Sequence, residues 1–181
     1  FWPWLQIVRE CLARHGAQEL AQLMAQGAAD LAEALPELRD VLPGLCAAPA
    51  IGSVPARFRF FDSMMAFLRR ADQRRPLVIV LDDLQHADGA SLLLLALVAR
   101  QLARTRILLV GTARRAAARA AHGVDALLPD LLREEPNHCI ELTGFSAQEL
   151  GCYLELTTGH AAPAEVVTSL HERTAGNPLF F

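Results

Sequence analysis

Asp82 and Asp83 stand side by side at the end of an unbroken apolar run, Leu77–Leu81. Adjacent carboxylates at a strand tip can divide two tasks. One can hold magnesium, directly or through its water shell, while the other polarises an attacking water. Side chains alternate along a strand, so the pair cannot do one job from one face. A plainer role is open to the same stretch. "DDLQHAD" can be a polar turn leading into a helix, with Asp88 or Ser91 as its N-cap. A second apolar run, "RILLVGT" (106–112), ends near Thr112 and Arg114.

The elements that must position these residues follow from periodicity. The first 75 residues read as helical: Leu20, Leu23, Met24, Leu31 and Leu35 form a stripe that Pro36 ends. A second helix, about Ala56 to Asp72, carries Phe60, Phe61, Met64, Phe67 and Leu68 on its apolar face. The texture then changes to strands alternating with helices. "LVIVL", "RILLVGT" and "HCIEL" (138–142) read as strands; "DGASLLLLALVARQLA", "AAARAAHGVDALLPDLLREE", "SAQELGCYLELTTG" and "PAEVVTSLHERTAG" read as helical. Ser146 with Glu149 three residues on forms a capping box. Such alternation implies a parallel sheet in a layered α/β fold. Strands apolar on both faces are expected to be covered on both. Ligands of such sheets bind beyond the carboxyl ends of the strands, which brings Asp82, Asp83 and residues 111–114 to one crevice.

Composition narrows the partners. Apolar residues make up 52% of the 181 and the net charge is −3, so neither nucleic acid nor a membrane surface is favoured. All 17 basic residues are arginine. Four scattered cysteines, Cys11, Cys46, Cys139 and Cys152, fit a reducing cytoplasm better than a disulfide framework. The apolar stretch Ala90–Ala99 is about half the length of a bilayer span. The first residue is Phe1, and the chain reads as a piece of something longer.

Taken together, "LVIVLDDLQHAD", "ILLVGTARR", "IELTGFSAQEL" and "ERTAGNPLF" resemble, in order and spacing, the signal-transducing branch of the AAA-type P-loop ATPases. The aromatic "FWPWLQIVREC" is similar to the segment after the second strand in that family. The resemblance implies a three-layer parallel sheet of the P-loop NTPase type lacking its first strand, with extra N-terminal helices and the start of a C-terminal helical lid. It divides the chain into a helical segment (1–75), an α/β nucleotide-binding core (76–145) and a helical segment leading toward a lid or winged-helix region (146–181). It gives Asp82 to the magnesium shell, Asp83 to the attacking water, and Thr112 or Arg114 to the terminal phosphate. Pro178, in "GNP", would lie by the adenine. A bland alternative has Gly176 ending one helix, Asn177 capping the next and Pro178 opening it.

ATP and Mg2+ are the expected cofactors. The expected partners are other domains of the same polypeptide, with self-association left open. Where the family commonly has a His-Trp pair after the acids, this chain has Gln85 and His86, a departure that bears on hydrolysis. No GxxxxGK[ST] occurs, and without lysine none can be disguised. The expectation is therefore a loop and strand missing upstream, an unfilled central slot in the sheet, and a chain inactive alone. The competing reading is a non-catalytic interaction scaffold that keeps the fold without phosphate binding.

Overall fold

A computed structural model describes residues 1–50, 52–114, 123–133 and 137–181. Two compact units emerge, Phe1–His138 and Cys139–Phe181. The first begins with four helices, α1 (Trp2–Arg14), α2 (Ala17–Met24), α3 (Ala28–Ala34) and the short α4 (Leu38–Val41). The longest helix, α5 (Val54–Arg74), follows. Then come β1 (Leu77–Leu81), α6 (Gly89–Ala99), β2 (Ile107–Gly111) and α7 (Val124–Arg133). The second unit holds α8 (Ala147–Thr158) and α9 (Ala164–Thr174).

Helix α5 is the spine of the first unit. Ser53 caps its start, accepting from Ala56 N at 3.3 Å, and Pro55 sits in the first turn, where its missing N–H costs nothing. Phe60, Met64, Phe67, Leu68 and Ala71 recur every three or four residues and are buried among Trp4, Leu20, Met24 and Leu31. The helix stops at Arg75, which is extended because Pro76 follows it. Buried Asp72 then reaches across the chain: it accepts from Arg106 N at 2.8 Å. That bond fixes the entry of β2 against the end of α5, and Leu77 N donates to Arg106 O at 3.0 Å to start the ladder.

β1 and β2 pair in parallel, with Leu77 opposite Ile107 and Leu81 opposite Gly111. Among the described residues these two strands form the sheet. Their alternation is sharp. Ile79, Leu81 and Ile107 enter the helical core, whereas Val78 (69% exposed), Val80, Leu108 and Val110 face outward. The expectation of strands covered on both faces is therefore corrected. Period-two geometry sends every second apolar residue to a face that no described helix covers.

The expected third strand is also corrected. Residues 137–146 carry no strand, and Ile140 and Leu142 are almost fully exposed. Apolar residues alone do not make a strand; a neighbouring backbone must take up the N–H and C=O groups. The helix expected over 116–135 is seen as α7, which contains Pro129; residues 115–122 and 134–136 lie outside the described residues.

In the second unit α8 begins with the anticipated capping box. Ser146 Oγ accepts from Glu149 N at 3.2 Å, and Glu149 accepts from Ser146 N at 2.8 Å. Those bonds from the Ser146 backbone and hydroxyl hold the Glu149 carboxyl below its usual range. Phe145, Tyr153 and Phe181 cluster with ring centroids 5.6–5.8 Å apart.

The two faces of the sheet predict opposite mutational behaviour. Ile79→Ala should cost about 2–5 kcal/mol by opening a core cavity. Val80→Thr should stay within about 0.5 kcal/mol and reduce aggregation. Urea denaturation and light scattering on the two variants check both outcomes.

Candidate functional site

Beyond Leu81 and Gly111 the two strands do not separate. Thr112 N donates to Leu81 O at 3.0 Å, and Leu84 N donates to Thr112 O at 2.8 Å. The exits of β1 and β2 are thus laced together by backbone. Gly111 permits the approach of the turn, since a Cβ there would lie 2.7 Å from Leu84 Cδ1.

Both acids are exposed at this tip, and both are tied to the β2 exit. The Thr112 hydroxyl donates to Asp82 Oδ1 and accepts from Asp83 N at 3.0 Å. Asp83 adopts the left-handed conformation, φ 54° and ψ 47°. Aspartate tolerates that region better than most residues, at a cost of about 1–2 kcal/mol. The turn takes Asp83 off the strand, so strand alternation no longer sets where its carboxylate goes. Asp83 Oδ1 accepts from Gln85 Nε2 at 2.8 Å and lies 4.0 Å from Arg114 Nε. Gln85 Oε1 in turn accepts from Arg114 N at 3.0 Å.

Four of the five site residues expected from sequence, Asp82, Asp83, Thr112 and Arg114, therefore meet at one place. Gln85, which sequence reasoning registered only as a departure from the family pattern, completes the network. Its position two residues after an acid, in a short 3-10 turn (Leu84–His86), was the available signal.

Pro178 belongs to the second unit. There Asn177 Oδ1 accepts from Leu179 N at 3.0 Å and Pro178 opens a single 3-10 turn. Gly176 has φ 71°, and a Cβ on it would sit 2.0 Å from Phe145 O, so only glycine fits. "GNP" thus serves locally as a helix stop and cap.

The polar turn after the acids exists alongside the acid network. Asp88 is the N-cap of α6, accepting from Ser91 N at 2.9 Å and from Ser91 Oγ at 2.6 Å. Trp4 Nε1 donates to Ser91 O at 3.0 Å from full burial, which places Trp4 in the core. Trp2 is exposed, with the Arg9 guanidinium 5.0 Å above its ring.

The donor set at the tip fits magnesium. Two exposed carboxylates with a hydroxyl beside them match an ion that takes one or two carboxylates and keeps several waters. Among the described residues no group of three or more His, Cys, Asp or Glu side chains could hold a metal, so an all-protein cage is not offered. A cavity of about 390 Å³ at the other end of β1, bordered by Cys11, His15, Arg75 and Leu77, includes none of the anticipated residues. Burial pushes the Cys11 thiol up, against nearby Arg75 and Arg14, so it is not an activated nucleophile.

A two-stranded parallel sheet within a helix-rich unit, with an acid pair at its carboxyl end, is compatible with the nucleotide-binding α/β class. The family model described as "AAA ATPase domain" matches residues 1–110, more than half of the sequence. The chain belongs to the AAA ATPase domain family. The matched region contains Asp82, Asp83 and Gln85 and stops just before Thr112. Comparison with curated proteins and with solved structures yields no match.

The cap predicts a measurable effect separate from the chemistry. Asp88→Ala should destabilise the fold by about 1 kcal/mol through loss of the α6 N-cap, seen as a lower urea midpoint with an unchanged slope.

Proposed function

We propose that this chain is the acid-bearing part of an ATP-hydrolysing regulatory switch, within a larger signalling or transcriptional regulator of the cytoplasm. The observation that carries the reading is the joint tethering of Asp82 and Asp83 to the exit of β2. Asp82, oriented by Thr112, would hold magnesium through its water shell. Asp83 would take a proton from a water whose oxygen attacks the terminal phosphorus of ATP; the bridging P–O bond breaks, leaving ADP and inorganic phosphate. Thr112 and Arg114 are assigned to the terminal phosphate, supported by their position beside the acids at the β2 exit, and Pro178 is assigned to the adenine side by family resemblance alone.

The phosphate grip must come from elsewhere. A glycine-rich loop supplies successive backbone N–H groups and a lysine, and this sequence has neither the motif nor any lysine. We assign that grip to polypeptide outside residues 1–181. The output would pass through other domains, with no direct nucleic-acid contact from this segment. No helix among the described residues is long and apolar enough to cross a membrane.

One observation favours a second reading, a scaffold that keeps the fold without catalysis. The outward face of Val78, Val80, Leu108 and Val110 is bare apolar surface of the kind interaction partners cover.

Two measurements separate the readings. Residues 1–181 alone should show no tight magnesium-dependent ATP binding by calorimetry; tight binding would refute the missing grip. In the polypeptide carrying this chain together with a phosphate-binding loop, Asp83→Asn should lower kcat by about 100-fold or more with ATP affinity retained. Unchanged turnover there would sink the assignment of Asp83.

A further inference from the structure

We propose that Gln85 is a positioning residue that sets which oxygen of Asp83 meets water, an inference that rests on reading Asp83 as the water-orienting acid. Its side-chain amide bridges the two strand exits. Nε2 donates to Asp83 Oδ1 at 2.8 Å while Oε1 accepts from Arg114 N at 3.0 Å. The orientation of the amide is settled by chemistry. A backbone N–H can only donate and an ionised carboxylate can only accept, so a flipped amide would mismatch both contacts.

The consequence is asymmetric. Asp83 Oδ1 is engaged by Gln85, whereas no described residue donates to Oδ2. The carboxylate is held at its backbone by Thr112 Oγ1 and at its head by Gln85, which fixes the direction of Oδ2. A base steered by a third group is the arrangement that effective proton acceptors share. Asp82 is served separately by Thr112, so Gln85 acts on one acid of the pair and not the other. Because Gln85 also holds the backbone of Arg114, a shift of the β2 exit would be felt at Asp83. Among the described residues, Asp82, His86, Asp88 and Arg114 are the other charged or titratable groups on this turn and exit, and none of them is replaced when Gln85 is substituted.

The test uses Gln85→Ala and Gln85→Glu in the polypeptide that carries this chain with its phosphate-binding loop, beside Asp83→Asn. Gln85→Glu keeps an acceptor for Arg114 N–H but sets a second carboxylate against Asp83. The expected result is a kcat about tenfold lower in both variants with KM for ATP unchanged. A merely structural role for Gln85 would lower the folded fraction and leave kcat per folded molecule at the wild-type value. If Asp83→Asn abolishes turnover while both Gln85 variants keep wild-type kcat, the role of Gln85 is overturned and that of Asp83 stands. If Asp83→Asn leaves turnover unchanged, both fall. In residues 1–181 alone, the Gln85 side-chain amide resonances should shift on Asp83→Asn; unchanged resonances would overturn the contact itself.

Discussion

One residue beyond the sheet, Thr112, carries the arrangement on which the site depends. Its N–H continues the ladder onto Leu81 O, its carbonyl accepts from Leu84 N, and its hydroxyl joins Asp83 N to Asp82 Oδ1. Every polar group of the residue is used, and each bond constrains the chain that follows β1. The left-handed conformation of Asp83 is costly for any L-residue, and these bonds are what over-determine it. The β1–β2 register, set at its other end by Asp72 on Arg106 N, brings Thr112 level with the acids. The site is thus a product of strand pairing, with the acids placed by the neighbouring strand as much as by their own.

That dependence explains what could be read from sequence. The strands at 77–81 and 107–111 were legible because unbroken apolar runs end in polar turns, and the Ser146–Glu149 box because it is local chemistry. Helix α5 extended two residues beyond its expected range at each end, where Ser53 and Pro76 set its limits. The segment 138–142 was misread because its residues suit a strand while strand formation needs a pairing partner. Covered faces were expected from residue type, but covering is a property of the whole assembly. The contact of Gln85 with Asp83 was invisible because it needs both the positive φ at Asp83 and the arrival of Arg114 from a distant part of the chain.

Membership of the AAA ATPase domain family fits this division. The match spans α1–α6, the acids and β2 up to Val110, which is most of the scaffold that the first unit builds around α5. Within the second unit, "GNP" has a sufficient local explanation in the tight crossing of Gly176 over Phe145. A nucleotide role for Pro178 therefore draws on resemblance, whereas the roles proposed for Asp82 and Asp83 draw on geometry as well.

The proposed switch depends on the exit of β2 orienting Asp82, the acid assigned to magnesium. The most direct measurement is the magnesium dependence of ATP turnover in Thr112→Val, which keeps side-chain shape and removes the hydroxyl, made in a polypeptide that joins this chain to a phosphate-binding loop. The account predicts that half-maximal turnover needs about tenfold more magnesium, with the fold retained by circular dichroism. An unchanged magnesium requirement in a folded Thr112→Val protein would contradict it.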